Sequence, residues 1–378
     1  MREVGILTNN HMYFFCMIAF PILTTLFFTS MMNKGQPLEM PVGVVDLDNS
    51  TTSRSLIRRL DAFQTSKVVS HFPNINEARQ AIQRNEIYAF LYIPENMSDD
   101  LLSARQPKIS FYYTMTTIAA GSLLFRDLKT ISTLGSAAVG QATMTAKGYT
   151  SEQIRSFLQP IAIDLHPLNN PMVNYSVYLS SLLIPGVLML FIFLITAYSI
   201  GTELKFKRSA EWIETAEGNI WVALIGKILP QFLVFITIMY AYMFYVFGVL
   251  QFPHPGGMWP ILLLGLLAVL ASEGFGIFAF GLMPSLRMSM SICSLWAVLS
   301  FTTAGAAFPI FAMDTPIRAI AQLFPLRHYY MIYQISILNG YPLAFAWINI
   351  VALLIFAFLP IFVTGSIKKA MLEYVYIP

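Results

Sequence analysis

The feature that most constrains this chain is a series of long stretches without charged side chains. Asp, Glu, Lys and Arg are absent from residues 4–33, 165–202, 228–272, 288–313 and 328–367. A helix needs about 20 apolar residues to cross the roughly 30 Å hydrocarbon core of a bilayer. The chain is therefore predicted to span a membrane several times. Charged residues make up only 11% of it, against about 25% in soluble domains, which excludes an ordinary soluble enzyme or a nucleic-acid-binding protein.

Six membrane-spanning helices are predicted within these stretches. The predicted spans are Met12–Met32, Val177–Gly201, Ile228–Val249, Trp259–Met283, Met288–Ala307 and Ala344–Gly365. The third and fourth are separated between Gln251 and Met258, where Pro and Gly residues interrupt a helical pattern. The first span is interpreted as an anchor rather than a cleaved signal peptide, because its apolar region is too long and no small-x-small cleavage site follows before Asn33.

The distribution of basic residues predicts how the chain is oriented. Six spans place both termini on one side, and cytoplasmic loops carry an excess of Lys and Arg. With cytoplasmic termini, eight basic residues lie inside and two lie in the short outer loops. The eight are Arg2, Lys205, Lys207, Arg208, Lys227, Arg287, Lys368 and Lys369, and the two are Arg318 and Arg327. Both termini are therefore predicted to be cytoplasmic.

One polar segment interrupts the apolar chain. Residues 33–172 hold 25 of the 43 charged residues. Strands are predicted at Pro41–Asp46, Lys67–His71, Ile87–Ile93 and Lys108–Thr114, with helices at Ser53–Phe63, Asn74–Arg84, Glu95–Ala104 and Thr117–Lys147. Strands that alternate with helices indicate an α/β fold with a mixed or parallel sheet. The fold class predicted is an α-helical polytopic membrane protein in which an extracytoplasmic α/β domain (34–173) is inserted between a first part (1–33) and a second part (174–378).

The sequence carries no recognisable motif of catalysis or of metal binding. Its five His residues are scattered without the spacing of metal ligands, and it has no P-loop, GxSxG or GxGxxG motif. Asp46 and Asp48 follow a predicted strand and precede a helix, so turn and capping roles fit them better than metal binding. The chain is therefore predicted to be no enzyme and to bind no metal or cofactor.

The predicted loop 202–218 combines alternating charges with the apolar side chains Phe206, Trp212 and Ile213. One interpretation is a helix lying at the membrane interface, with its basic cluster facing anionic lipid. The other is a docking helix for a cytoplasmic partner. The pattern alone favours neither.

This loop resembles a cytoplasmic segment of ABC-2 type transporter permeases. The resemblance rests on the run from Phe206 to Ala216 and on Gly226-Lys-Ile-Leu-Pro230. Four residues match the family's pattern, Glu211, Thr215, Gly226 and Lys227, whereas Lys207, Arg208 and Ala216 stand where it usually has Gly, Thr and Pro. The resemblance implies that the segment couples the membrane helices to an ATPase. The residues to which it assigns coupling are Glu203, Lys205, Phe206, Lys207, Arg208, Glu211, Trp212, Glu214, Thr215, Gly226 and Lys227.

A second resemblance to these permeases lies near the end of the chain. The stretches Gly305–Met313 and Phe324–Tyr330 look like a family segment that dips back into the membrane from the outer face, although Met331 and Gln334 stand where Glu and Arg are common. The resemblance implies a re-entrant hairpin over residues 308–343. The residues assigned to it are Phe308, Pro309, Pro325, Leu326, Tyr329 and Tyr330.

Together with the order of one span, a large external domain and five further spans, these matches place the chain closest to the exporter subgroup of that family. The resemblance implies a bacterial inner-membrane permease that exports a hydrophobic or amphiphilic substrate. It implies a separate ATPase chain that carries ATP and Mg, a second permease chain of the same or a related kind, contact with membrane lipid and a periplasmic adaptor. Nucleic acid is not an expected partner.

Glu273 is the one acidic residue well inside a predicted span. A carboxylate there is costly. It is interpreted either as a tie between helices, to Lys227 or Arg287, or as a substrate contact or protonation-linked gate. The fifth span carries many small and hydroxyl residues, including Ser300, Thr302 and Thr303, which indicates close packing or a polar pathway.

Two other functions stay open at the level of sequence. One is a membrane receptor or envelope organiser that acts through its external domain and needs no ATPase. The other is a secondary transporter driven by protons through Glu273, although the sequence has no visible inverted repeat.

Overall fold

The computed structural model describes residues 2–103, 105–160, 166 and 168–374. The chain divides into two compact units, one of residues 1–35 and 167–378 and one of residues 36–166. Ala104, the predicted end of one helix, lies outside the described residues.

The first unit begins with a short helix and a long one. Helix α1 covers Arg2–Asn9. The side chain of Asn10 then accepts a hydrogen bond from the backbone N–H of Met12 (2.9 Å) and so caps the next helix. That helix runs through α2 (His11–Phe14), a π-helical turn (Phe15–Ala19) and α3 (Phe20–Met31).

The second unit is an α/β unit with one four-stranded sheet. Its elements are β1 (Met40–Asp46), α4 (Thr51–Asp61), β2 (Ser66–His71), α5 (Ile75–Gln83), β3 (Ala89–Ile93), α6 (Met97–Leu102), β4 (Ser110–Tyr113), α7 (Ile118–Ala146) and α8 (Ser151–Leu158). The strand order is β2-β1-β3-β4; β1 runs parallel to β2 and β3, whereas β4 is antiparallel to β3. The mixed sheet expected from the alternating pattern is therefore present.

Local capping and apolar burial explain how this unit forms. Ser50 and Asn74 cap α4 and α5 by accepting hydrogen bonds from backbone N–H groups three residues on. Asp46 and Asp48 act in the same way: Asp46 Oδ1 accepts from two backbone N–H groups of the following turn, and Asp48 Oδ2 accepts from Ser98 Oγ at the start of α6. The turn and capping roles predicted for the two Asp residues are therefore observed.

The rest of the first unit is helical. Its helices are α9 (Ser181–Lys205), α10 (Ser209–Thr215), α11 (Ile220–Met243), α12 (Met258–Leu282), α13 (Leu286–Thr303), α14 (Thr315–Ala321), α15 (Pro325–Ile332), α16 (Trp347–Phe358) and α17 (Thr364–Glu373). Π-helical turns precede α9 (Ser176–Ser180) and follow α11 (Phe244–Val249) and α15 (Tyr333–Leu338). Short 3₁₀ segments cover Ile310–Ala312, Leu343–Ala346 and Leu359–Phe362.

Among the described residues, five helical segments are long and apolar enough to cross a membrane. They are His11–Met31, Ser176–Lys205, Ile220–Val249, Met258–Leu282 and Leu343–Glu373. The chain is thus a mostly helical, polytopic membrane protein. The fifth of the six predicted spans is the 18-residue helix α13, which is not among these five and which carries Arg287 and several hydroxyl residues. A sixth span therefore stays a prediction.

Helices α9 and α12 form the centre of this unit. In their most apolar windows 67% and 72% of the residues are buried, against 28–33% in the other three candidate spans. Glycines let α12 approach its neighbours closely. A Cβ added at Gly274 of α12 would lie 2.3 Å from the carbonyl oxygen of Phe356 in α16. Such close approach of backbones is typical of helix packing in membranes.

Candidate coupling site

Helix α10, in the middle of the loop predicted to couple to an ATPase, lies on an apolar cluster rather than free in solution. Trp212 and Ile213 are each 3% exposed. They belong to a cluster built from the adjoining ends of α9, α11, α12 and α17. At the far end of the loop, Lys368 Nζ of α17 donates a hydrogen bond to the carbonyl oxygen of Gly218 (2.8 Å). The loop is therefore packed against the helices on either side of it.

A buried ion-pair network lies beside this cluster. Lys227 Nζ of α11 is 2.8 Å from Glu203 Oε1 at the end of α9 and 2.9 Å from Glu3 Oε2 of α1. Arg2 completes the network, with Nη2 2.9 Å from Glu203 Oε2 and Nη1 3.1 Å from Glu3 Oε1. We call these four residues the charge cluster. It joins α1, α9 and α11.

The charge cluster is electrically balanced and shielded from solvent. The side chains of Lys227 and Glu203 are each 2% exposed, and those of Glu3 and Arg2 are 13% and 26% exposed. Burial by itself lowers the pKa of the Arg2 guanidinium, but the hydrogen bond to Glu203 and the nearby carboxylate charges outweigh it, so this pKa is raised. The Lys227 ammonium also lies 5.3 Å from the centre of the Trp212 ring, within the range of a cation–π contact.

The other residues of the loop that were predicted for coupling form an exposed surface on the same segment. Phe206 is 56% exposed, and the cationic groups of Arg208 and Lys205 lie 5.4 and 5.7 Å from its ring centre. We call the exposed set the loop face. Its members are Lys205, Phe206, Lys207, Arg208, Glu211, Glu214 and Thr215.

The eleven residues predicted for coupling thus separate into two groups. Glu203, Trp212 and Lys227 are buried and hold the segment in place, so in this arrangement none of them presents a surface to a partner. The loop face and Gly226 are accessible. Helix α11 begins at Ile220, before the predicted start of the third span at Ile228, so Lys227 lies inside the helix.

Sequence reasoning assigned no ion-pair role to two members of the charge cluster: Arg2 entered it only as one of the basic residues predicted to be cytoplasmic, and Glu3 did not enter it. Adjacent opposite charges at the start of a short amphipathic segment were the available signal. That signal does not name a partner, because Glu203 and Lys227 lie about 200 residues away in the chain.

Glu273 is buried without a visible tie. It is 4% exposed, and its Oε1 has no hydrogen-bond partner among the described residues. The expected tie to Lys227 is not formed, because that ammonium is taken by Glu3 and Glu203. Within the described residues no ion pair joins Glu273 to Arg287 either. The carboxyl group is therefore a buried polar group whose role is left open by its surroundings.

The hydroxyl groups expected to pack or line a pathway bond within their own helix. Ser300 Oγ donates to the carbonyl oxygen of Trp296 (2.7 Å), and Thr302 and Thr303 donate to that of Leu299 (2.9 and 2.8 Å). Ser300 is buried, whereas Thr302 is exposed. Hydroxyls satisfied in this way need no other helix and no ligand as a partner.

Residues 308–343 are broken into short elements, and the residues predicted for the hairpin differ in burial. Phe308 and Pro309 are exposed, whereas Pro325, Leu326, Tyr329 and Tyr330 are buried. The buried part is α15, which packs against α9, α12, α13 and α16. Its position relative to a membrane stays a prediction.

Sequence reasoning missed two buried polar residues in α15. Arg327 is 8% exposed with no hydrogen-bond partner at Nε and Nη1 among the described residues. The ring nitrogens of His328 lie 2.9 Å from the carbonyl oxygen of Gln322 and 3.0 Å from Asn349 Oδ1. The available signal for Arg327 was its position as a single charged residue between the uncharged stretches 319–326 and 328–367.

Comparison with known proteins bears on the family of the chain. The described residues contain no group of His, Cys, Asp and Glu that fits a metal ion. No curated protein matches the chain. A family model described as ABC-2 family transporter protein matches residues 11–365, which include the first four candidate spans, most of the fifth, the loop face and α15. With nearly its whole length covered by that model, the chain belongs to the ABC-2 family of transporter proteins.

Proposed function

We propose that this chain is the membrane subunit of an ATP-driven exporter and that its loop face is the contact for a separate cytoplasmic ATPase. Permeases of this family are transport subunits that generally work with an ATPase subunit. The observation that carries the proposal is the combination of an exposed loop face with a buried support. Force applied to Phe206 and its neighbours reaches α9 and α11 directly, because the apolar cluster joins α10 to both helices and the charge cluster joins the two helices to each other.

The finer features of the proposal follow from the resemblance and the charge distribution. The exporter has six spans, with α13 as the fifth, and lies in a bacterial inner membrane with both termini in the cytoplasm. It works with a second permease chain and moves a hydrophobic or amphiphilic substrate outward. The unit of residues 36–166 is the extracytoplasmic domain. It binds a periplasmic adaptor. ATP and Mg belong to the ATPase.

The experiment that tests the proposal is affinity purification of the tagged chain from its own host in mild detergent, with identification of the bound proteins. The wild-type chain is expected to retain a stoichiometric ATPase. The variant Phe206→Ala/Arg208→Ala/Glu211→Ala is expected to lose it while keeping the thermal midpoint of the wild type, since all three side chains are exposed. Trp212 is left unchanged, because its replacement would disturb the apolar cluster.

A matched control separates contact from general surface damage. Phe157→Ala/Lys129→Ala/Glu152→Ala removes one aromatic, one basic and one acidic exposed side chain from the other unit, and it should leave the ATPase bound. A second copy of the chain with a different tag reports whether two identical permeases associate. A well-folded chain that retains no ATPase would overturn the proposal and favour a receptor function instead.

A further inference from the structure

The α/β unit of residues 36–166 contains a polar crevice that the transport function does not use. The crevice has a volume of about 700 Å³. It lies where β1 and β2 end, between Asp46 and His71, and α4 forms its side with Arg54, Ile57 and Arg58. Pockets of roughly 300–1,000 Å³ accommodate small organic ligands.

The topology of the sheet explains why the crevice opens at this place. The chain passes from β1 through α4 to β2 on one side, and then from β2 through α5 to β3 on the other side of β1. Right-handed crossovers in opposite directions put α4 and α5 on opposite faces of the sheet. The loops that leave the carboxyl ends of β1 and β2 therefore diverge. Parallel α/β sheets bind their ligands in such crevices.

The basic groups around the crevice are free to bind an anion. Arg54 and Arg58 are four residues apart on α4 and so lie on one helix face. Arg54 donates one hydrogen bond, from Nη2 to the carbonyl oxygen of Asn49 (3.1 Å). Among the described residues neither Arg forms an ion pair, and the His71 ring forms no hydrogen bond. Two guanidinium groups and an imidazole therefore face the opening without a carboxylate partner.

The one acidic residue at the crevice is already engaged. Asp46 Oδ1 accepts hydrogen bonds from the backbone N–H groups of Asp48 and Asn49, both at 3.1 Å, and Oδ2 accepts one from Ser53 Oγ at 2.7 Å. These three donors hold the carboxylate toward the turn. It therefore stabilises the loop that shapes the crevice and leaves the two Arg residues to a ligand.

An apolar wall completes the crevice. Its apolar lining residues are Ile57, which lies between the two Arg residues on α4, and Phe72, which also packs against an apolar cluster beside α5. The backbone at Phe72 is fixed, because its N–H donates to the carbonyl oxygen of Val44 (2.8 Å). A ligand that fits this lining has an anionic head and a small apolar body.

We propose that this crevice binds an organic phosphate, with the phosphate group held by Arg54 and Arg58 and the organic part against Ile57 and Phe72. Guanidinium groups match the geometry of phosphate oxygens and bind them with two parallel hydrogen bonds. The phosphate belongs to a free ester or to a lipid headgroup. This site is additional to the proposed transport function and does not depend on it.

The test uses the full chain in nanodiscs of neutral lipid and phosphate-free buffer, with phenyl phosphate as the probe. Hydrogen exchange of peptides that cover residues 49–58 and 69–74 reports binding. Phenyl phosphate is expected to slow exchange there, and Arg54→Gln/Arg58→Gln is expected to weaken its binding about tenfold or more, the scale of one charge-assisted hydrogen bond. Nanodiscs that contain phosphatidic acid provide the arm for a lipid headgroup.

The control variant is Arg59→Gln/Arg79→Gln, which removes the same charge from exposed positions outside the crevice and should bind like the wild type. Protection by phenyl phosphate supports a free ester, and protection only in phosphatidic acid nanodiscs supports a headgroup. No protection in either arm overturns the proposal. An equal loss of binding in the control variant also overturns it, because the attraction would then be non-specific.

Discussion

Removal of the Lys227 ammonium is the most direct test of the charge cluster. Lys227→Met keeps an unbranched side chain that is one atom shorter, but leaves the two carboxylates of Glu3 and Glu203 with Arg2 as their only cation. Breaking a buried ion pair so that one charge stays unpaired costs about 3–5 kcal/mol. Since Arg2 still contacts Glu203 at 2.9 Å, we expect a loss near 3 kcal/mol in the free energy of unfolding.

A double variant tests whether the loss of stability comes from the unpaired charge. Lys227→Met/Glu203→Gln removes one charge of each sign, so the remaining pair of Arg2 and Glu3 is balanced, at 3.1 Å. Replacing a buried ion pair by uncharged side chains of similar volume is often neutral. The double variant is therefore expected to lie within about 1 kcal/mol of the wild type, which means that the second substitution restores most of the lost stability.

Unfolding is followed by tryptophan fluorescence while SDS is titrated into mixed micelles. All five Trp residues lie in the first unit (residues 1–35 and 167–378), and Trp212 is next to Lys227. The control is Lys369→Met, since Lys369 is 61% exposed and 3.9 Å from Glu373, and a surface pair contributes only about 0–1 kcal/mol. Additive losses in the double variant would refute the reasoning, because they would mean that the charges do not act as one unit.

Three further predictions follow from single positions. Glu273→Gln should leave the midpoint of SDS unfolding unchanged or raise it, because its Oε1 has no partner and a neutral amide costs less to bury than a charge; a large fall in the midpoint would contradict this. Gly274→Val should lower that midpoint, by an amount equivalent to about 1–3 kcal/mol, because the new Cβ would overlap the carbonyl oxygen of Phe356. Burial raises the pKa of Asp48, but hydrogen bonds from Ser50 and Ser98 outweigh it and lower this pKa. Its stabilisation is thus complete above an unfolded pKa of about 3.9 and is lost as the pH falls through the lower folded pKa; hydrogen exchange of α6 in the full chain should speed up over that range, and less so in Asp48→Asn.

The sequence predicted the elements whose pattern is local. Strand Ile87–Ile93 and the observed β3, Ala89–Ile93, differ by two residues, because a short β-rich run ended by Pro94 is an unambiguous signal. Candidate spans were recognised for the same reason, since about 20 uncharged apolar residues have few other uses. The boundary of a span was harder to predict than its existence. Lys227 looked like a boundary, yet α11 continues through it, and two distant carboxylates pair with its ammonium.

Contacts between distant residues set the limit for the candidate site. The loop was predicted from its position between two apolar stretches, but exposure within it depends on which side of α10 faces the apolar cluster. Trp212 and Phe206 are both aromatic and only six positions apart, yet one is 3% and the other 56% exposed. No local pattern separates them. The separation comes from α17, whose Ile367 and Met371 belong to the cluster that covers Trp212.

The burial of the charge cluster also says what kind of support it gives to the loop face. Apolar side chains of similar volume would stabilise the fold about as well as buried ion pairs, so stability alone does not account for four charges at this position. Ion pairs, unlike apolar contacts, are directional: Lys227 reaches Glu203 and Glu3 together only when α1, α9 and α11 keep one relative position. Such a tie specifies one arrangement of the three helices. If an ATPase moves the loop face, these helices will move with it as a single body. The exposed side chains then need only to bind the ATPase.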